Sequence, residues 1–302
     1  MTSITHALRQ AQSRGLERLD AQLLLLHALG HAAHDRAWLL AHDLDALPAS
    51  VQTAFDALVR RRTAGEPVAY ITGHKEFFGL DLQVDARVLV PRSDTETLVE
   101  WTLEVLDVSK AAEVAAASEV SDHLSVRAEP VEAPSPSALS VIDLGTGSGA
   151  VALALKHAQP DLRVSATDAS ADALQVARAN AARLQLPIEF IQGLWLTPVE
   201  GRYHAIVSNP PYIAAQDRHL RDLTHEPLQA LASGEDGLDD IRQIIAQARA
   251  HLHPGGWLLL EHGYDQAAAV RDLLRDAGLD EVQSRRDLGG IERCSGARTP
   301  RA

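Results

Sequence analysis

The chain of 302 residues has a single cysteine, Cys294, and that scarcity removes two classes of protein at once. Neither an intramolecular disulfide framework nor a cysteine-based zinc site can be built, and the usage fits a reducing compartment. Long apolar runs are missing too. The longest leucine stretch, Leu23 to Leu26, is far too short to cross a bilayer, and no charged-then-apolar leader opens the chain. A cytoplasmic protein with no membrane partner is the expectation. Cations are in short supply: 28 Lys and Arg stand against 41 Asp and Glu, a formal charge of −13. Such a balance repels a phosphate backbone unless basic residues cluster. The one dense cluster, Arg60-Arg61-Arg62, fans around a helix instead of forming a platform, so no direct nucleic-acid partner is expected. The 14 histidines include no pair at zinc spacing with a carboxylate partner, and no metal is assigned.

The length suits two domains, each with enough apolar content for a core. From Leu8 to Gly65 the pattern is helical. Leu23 to Leu29 ends at Gly30, and Val51, Phe55, Leu58 and Val59 recur at helical spacing between a Ser50 cap and Gly65. Residues 1–67 are therefore read as a helical recognition domain without its own chemistry. Residues 68–90, with Gly73 and Gly79, read as a strand pair connecting to a second domain at 91–302. A helix then starts at Ser93-Asp94-Thr95-Glu96, where the spacing predicts a capping box. Residues 108–139 lack aromatics and carry Pro130, Pro134 and Pro136, so they read as a flexible insertion.

Beyond the insertion the rhythm is strand, helix, strand. Strands are expected at Ser140–Leu144, Arg163–Thr167, Ile188–Gln192, Tyr203–Ser208, Trp257–His262, Glu281–Arg285 and Glu292–Arg298. Helices are expected from Gly149, from Ala171, over Leu238–Leu252 and over Gln266–Ala277. The fold class is α/β, a mostly parallel, doubly wound Rossmann-like sheet preceded by a small helical domain.

Three constellations on this frame carry chemistry. Val141 to Leu144 runs into Gly145-Thr146-Gly147-Ser148-Gly149, a turn whose glycines admit positive φ and close approach of a ligand. Counted with Ala150, it also satisfies the dinucleotide fingerprint, so a dehydrogenase or an ordinary tight turn competes on this motif alone. Asp168 ends the next strand about 20 residues on, where a carboxylate can accept from both ribose hydroxyls. Its rival role is a helix N-cap. The third, Asn209-Pro210-Pro211-Tyr212, follows an apolar strand at the edge where open α/β sheets bind ligands. The prolines fix φ, remove two donors and hold Asn209 extended, so carbonyls and the Asn side chain present acceptors to an NH2 group. A rigid turn is the bland alternative. Trp195 falls near the adenine end of such a ligand, with core packing the competing role.

Taken in order, these segments resemble the PrmC/HemK family of release factor glutamine methyltransferases. The likeness runs through Glu66 to Gly73, Pro91 to Glu96, Asp143 to Gly149, Asn209 to Tyr212, Glu226-Pro227-Leu228 and Leu258 to Gly263. It implies a seven-stranded methyltransferase domain that uses S-adenosylmethionine. It further implies a class I peptide chain release factor as substrate, methylated on the N5 nitrogen of the glutamine in its Gly-Gly-Gln motif. On the same footing Gly145 to Gly149, Asp168, Trp195 and Asn209 contact the cofactor, and Asn209 to Tyr212 hold the amide. Two departures stand out: Leu194 occupies a position where relatives carry an acidic residue, and the end from Cys294 onward diverges. Adenine N6-methylation of nucleic acid and a noncatalytic cofactor-binding or docking role are the rivals, since an adenine NH2 suits the same pocket.

Overall fold

The computed structural model describes residues 2–107 and 139–301. The helical unit comprises α1 (Ile4–Ser13), α2 (Arg18–Leu29), α3 (Arg36–Ala41), α4 (Ala49–Thr63) and α5 (Val68–Thr72). Its core joins Ile4, Leu24, Leu25, Leu26, Phe55 and Val59 to Ile71 of α5. Gly30 closes α2 in the left-handed conformation, as its position after the apolar run required. The start of α4 differs from expectation. Pro48, not Ser50, is the N-cap, and the helix begins at Ala49.

Residues 68–90 are not a plain strand pair. Val68–Thr72 is helical, and Gly73 turns the chain into the antiparallel hairpin β1 (His74–Phe77) and β2 (Leu80–Gln83). Phe77, Leu80 and Leu82 are buried in the same cluster as Trp101 and Val141, so the hairpin packs into the second domain's core. A 3-10 turn at Ser93–Thr95 leads into α6 over 96–107. Here the capping box fails: the Glu96 carboxylate accepts from the Phe78 backbone N–H at 3.2 Å, tying the turn to the hairpin. Of the insertion placed at 108–139, all but Leu139 lies outside the described residues. Leu139 itself is buried, and its carbonyl accepts from Arg163 N at 2.9 Å, which puts it in the sheet's core.

The remaining chain runs β3 (Ser140–Leu144), α7 (Ala150–Ala158), β4 (Arg163–Asp168), α8 (Ala171–Leu184), β5 (Glu189–Gln192), β6 (Tyr203–Ser208), α9 (Asp239–Ala248), β7 (Leu252–Glu261), α10 (Ala267–Asp276), β8 (Asp280–Arg286) and β9 (Glu292–Arg298). These strands form one seven-stranded sheet in the order β5-β4-β3-β6-β7-β9-β8, with β9 antiparallel to both neighbours. Successive residues alternate between faces. Val141, Ala205, Val207, Trp257 and Leu259 pack on one side, and Ile142, Leu144, Ile206, Leu258 and Leu260 on the other. Helices cover both faces, so the doubly wound class holds. One strand is longer than expected: β7 starts at Leu252, five residues before Trp257, because Leu252 pairs with Tyr203 across a register shift. That extension shortens α9, which stops at Ala248. The sheet order reverses direction between β3 and β6, and a crevice opens outside their carboxyl ends.

Candidate active site

The carboxyl ends of four strands build this crevice. Gly145 and Gly147 after β3, Asp168 at the end of β4, Trp195 after β5, and Asn209 and Pro211 after β6 line one cleft of about 550 Å³. Gly145, Gly147 and Gly149 all have positive φ, at 69°, 57° and 85°. Two of them have different reasons to lack a Cβ. At Gly145 it would stand 3.1 Å from Cζ3 of Trp195, whose ring lies against the turn. At Gly149 it would press on Leu153 and Ala177, which hold α7 against α8.

The turn is fixed from beneath by Asp143. The Thr146 hydroxyl donates to its Oδ2 at 2.6 Å and the Ala152 N–H at 3.3 Å. Burial pushes this carboxyl up to about 7, against the pull of those two donors. Thr146 and Ser148 are buried, and the Ser148 carbonyl accepts from Asn180. Among the glycine-turn positions, Gly145 and Gly147 face the cleft, whereas Thr146, Ser148 and Gly149 shape the turn.

Asp168 is not the cap of α8; Ser170 is, accepting from Ala173 N at 3.2 Å. The Asp168 carboxylate accepts from Gly147 N at 2.9 Å and Ser170 N at 2.8 Å. Each oxygen keeps lone-pair capacity for a further donor. Burial raises its pKa. Trp195 combines both roles considered for it. It is 6% exposed and belongs to the core beneath the sheet, yet it lines the cleft, and its Nε1 has no hydrogen-bond partner among the described residues. Leu194 beside it is 48% exposed at the cleft wall.

The tetrapeptide leaves β6 directly. Ser208 anchors the strand end by donating to the Leu144 carbonyl at 2.7 Å. Asn209 Nδ2 donates to Thr95 Oγ1 at 3.1 Å, which leaves its Oδ1 for another partner. Pro211 faces the cleft, and Tyr212 turns into an adjoining pocket with Arg92, Asp94, Glu261 and Arg293. The Tyr212 hydroxyl donates to Glu261 Oε1 at 3.3 Å, and burial, then the nearby Glu261 charge, pushes the phenol's pKa up. Gln266 secures the backbone here, donating to the Tyr212 carbonyl at 3.0 Å. A Cβ on Gly237 would overlap that carbonyl.

Sequence reasoning missed how Thr95, Glu226, Glu261 and Gln266 serve the site. Glu226 is buried and accepts from Val90 N at 3.1 Å and Arg92 Nη2 at 2.5 Å, clasping the loop before α6 to the segment after Tyr212. A lone charged residue in an otherwise apolar strand, as in Leu258-Leu259-Leu260-Glu261, was the available signal for one of them.

Relatives decide what this arrangement belongs to. Residues 1–73 match the PrmC N-terminal domain family and residues 129–276 the Methyltransferase small domain family. The release factor glutamine methyltransferase of Xylella fastidiosa (strain Temecula1) is 46% identical over 97% of this chain and 98% of its own length. That of Bordetella pertussis is also 46% identical, over 93% and 95%. The chain belongs to the release factor glutamine methyltransferase family. It is an S-adenosylmethionine-dependent methyltransferase. Among solved structures, the hMettl16 catalytic domain in complex with MAT2A 3'UTR hairpin 6 is similar in fold, with a TM-score of 0.54 at 15% identity over 74% of this chain and 76% of that one.

The residues in the cleft fit the family's cofactor. Its volume lies in the range of small-molecule sites, the Asp168 carboxylate offers acceptors, the Trp195 ring gives an apolar wall, and Gly145 and Gly147 carry no side chain there. Among the described residues no helix is long and apolar enough to cross a membrane.

Proposed function

We propose that this family member methylates the N5 amide nitrogen of the glutamine in the Gly-Gly-Gln motif of class I release factors, in the cytoplasm and without direct contact to nucleic acid. Gly145 and Gly147, held by the turn that Thr146, Ser148 and Gly149 shape, bind the cofactor with Asp168 and Trp195; Asn209 touches both cofactor and substrate, and Asn209 to Tyr212 hold the amide. Residues 1–67 recognise the release factor, and 91–302 carry the chemistry. The bound sulfonium supplies a methyl group that is already activated. The rest of the task belongs to the protein.

An amide nitrogen is a poor nucleophile because its lone pair is delocalised into the carbonyl. Acceptors on its two N–H bonds draw density back to nitrogen and aim the lone pair. Asn209 Oδ1 and the carbonyl of Pro210, a residue without an N–H of its own, serve as those acceptors. Tyr212 gives the planar amide a flat wall. Holding nitrogen and methyl in line can supply on the order of 7–11 kcal/mol, so no strong base is required. The observation that carries this reading is the Asn209 carboxamide, held by Thr95 through its NH2 so that its oxygen is spare at the shared edge of the cofactor cleft.

The test offers methyl-labelled cofactor to the purified protein with a release factor, duplex DNA and RNA together. Label should appear on the release factor's glutamine alone. Robust labelling of adenine in either nucleic acid would overturn the substrate assignment.

A further inference from the structure

The tetrapeptide after β6 has few free torsions. Its two prolines fix φ at 210 and 211, so the remaining ψ angles decide where the carbonyls between them face. Those angles are constrained from both ends of the loop. At the entry, Ser208 pairs with Leu144 in the sheet, and its hydroxyl donates to the Leu144 carbonyl at 2.7 Å. At the exit, a single planar peptide unit is gripped on opposite edges. The Ile213 N–H donates to the Leu231 carbonyl at 2.9 Å, and the Tyr212 carbonyl accepts from Gln266 Nε2 at 3.0 Å. Of these two exit contacts, only the second depends on a side chain.

We infer that Gln266 is a positioning residue for methyl transfer: by holding the Tyr212 carbonyl, it sets the direction in which the Pro210 carbonyl meets the substrate NH2. The inference rests on the role proposed above for Asn209 to Tyr212. Gln266 stands at the start of α10, where its Oε1 accepts from Gly263 N at 2.8 Å. Its Nε2 donates to the Asp236 carbonyl at 3.2 Å as well as to that of Tyr212. All three partners are main-chain groups, each of fixed polarity, so the carboxamide has one orientation that satisfies them. A carboxylate of the same shape would present a second acceptor to two carbonyls.

The residue is itself held on the side away from the loop. Gln266 N donates back to the Gly263 carbonyl at 3.1 Å, and His262 Nδ1 lies 2.9 Å from the same oxygen. His262 is buried, with its Nε2 2.8 Å from Ser295 Oγ on β9, which ties the Gly263 turn to the sheet. Space for the contact depends on Gly237, where a Cβ would overlap the Tyr212 oxygen and stand 2.7 Å from Gln266 Nε2. With Tyr212, Gln266 lines a pocket of about 370 Å³ beside the cofactor cleft, and its influence on the chemistry passes through the loop.

The experiment measures kcat of the full chain, at saturating cofactor and release factor, for Gln266→Met and Gln266→Glu. Turnover is counted per cofactor site, with sites titrated by S-adenosylhomocysteine. Counting per site removes any loss of folded protein, so a merely structural role would leave the value at wild type. Gln266→Met, which keeps the length and loses both hydrogen-bonding functions, should lower kcat about tenfold, and Gln266→Glu in alkaline buffer on the order of 100-fold. As pH falls, the introduced carboxyl gains an O–H that can donate to the Tyr212 carbonyl. The kcat of Gln266→Glu relative to wild type should therefore rise in acid, while that of Gln266→Met stays level. Wild-type kcat per site in either variant, or a ratio for Gln266→Glu that does not rise in acid, overturns the inference. Should Gln266→Glu fail to fold, Gln266→Met decides alone. Full turnover by Asn209→Ala would overturn the reading of the site itself; wild-type turnover by the Gln266 variants beside an inactive Asn209→Ala would overturn this inference alone.

Discussion

At Gly145 the backbone has a φ of 69° and Trp195 stands where a side chain would begin. The left-handed conformation alone costs an L-residue about 1–2 kcal/mol. A methyl group would also displace the indole that lines the cleft. Gly145→Ala should therefore weaken binding of S-adenosylhomocysteine about tenfold in titration calorimetry, which corresponds to roughly 1.4 kcal/mol. An unchanged Kd would show that the contact between turn and indole does not shape the cofactor cleft. The buried acids belong to the same scale. Asp143, Asp168 and Glu261 are all pushed up by desolvation, but only Asp168 lines the cleft itself. Asp143 holds the turn, and Glu261 sits behind the acceptor loop.

Between elements, the clasp made by Glu226 joins the strand-to-helix passage at Val90 to Arg92 with the loop beyond Tyr212. Removing it leaves the Val90 N–H buried without a partner. Glu226→Ala should lower stability in urea denaturation by about 2 kcal/mol, the range expected when a buried donor is orphaned. A change within error would mean that water replaces the carboxylate at little cost. Elements also show what the sequence could reveal. Strands β3 and β6 were legible to the residue, because both faces of a central parallel strand are apolar and a glycine or an Asn-Pro pair marks the end. The start of β7 was not, since His253 to Gly256 breaks the apolar run before Trp257. Val68–Thr72 looked like a strand because Val, Tyr, Ile and Thr favour one; contact between Ile71 and the helical core overrides that preference. Glu96 looked like a capping partner, yet the hairpin brought a backbone donor that local spacing could not reveal.

Across the whole molecule the site is a product of long-range assembly. Thr95, Asn209, Glu226 and Glu261 come from separate stretches of the chain and meet only when the sheet, the hairpin and the loop after β6 are in place. The motifs at Gly145 to Gly149 and Asn209 to Tyr212 were readable because each is local, a strand running into a turn. The side chains that orient them were hidden because their partners lie far away in sequence. Of these groups Thr95 is the one bonded to Asn209, the residue on which the proposed function turns. The most direct test is a single-turnover assay of Asn209→Ala at saturating cofactor and release factor. With cofactor and release factor both saturating, the rate of methyl transfer should fall about 100-fold or more. A wild-type rate from that variant would contradict the account.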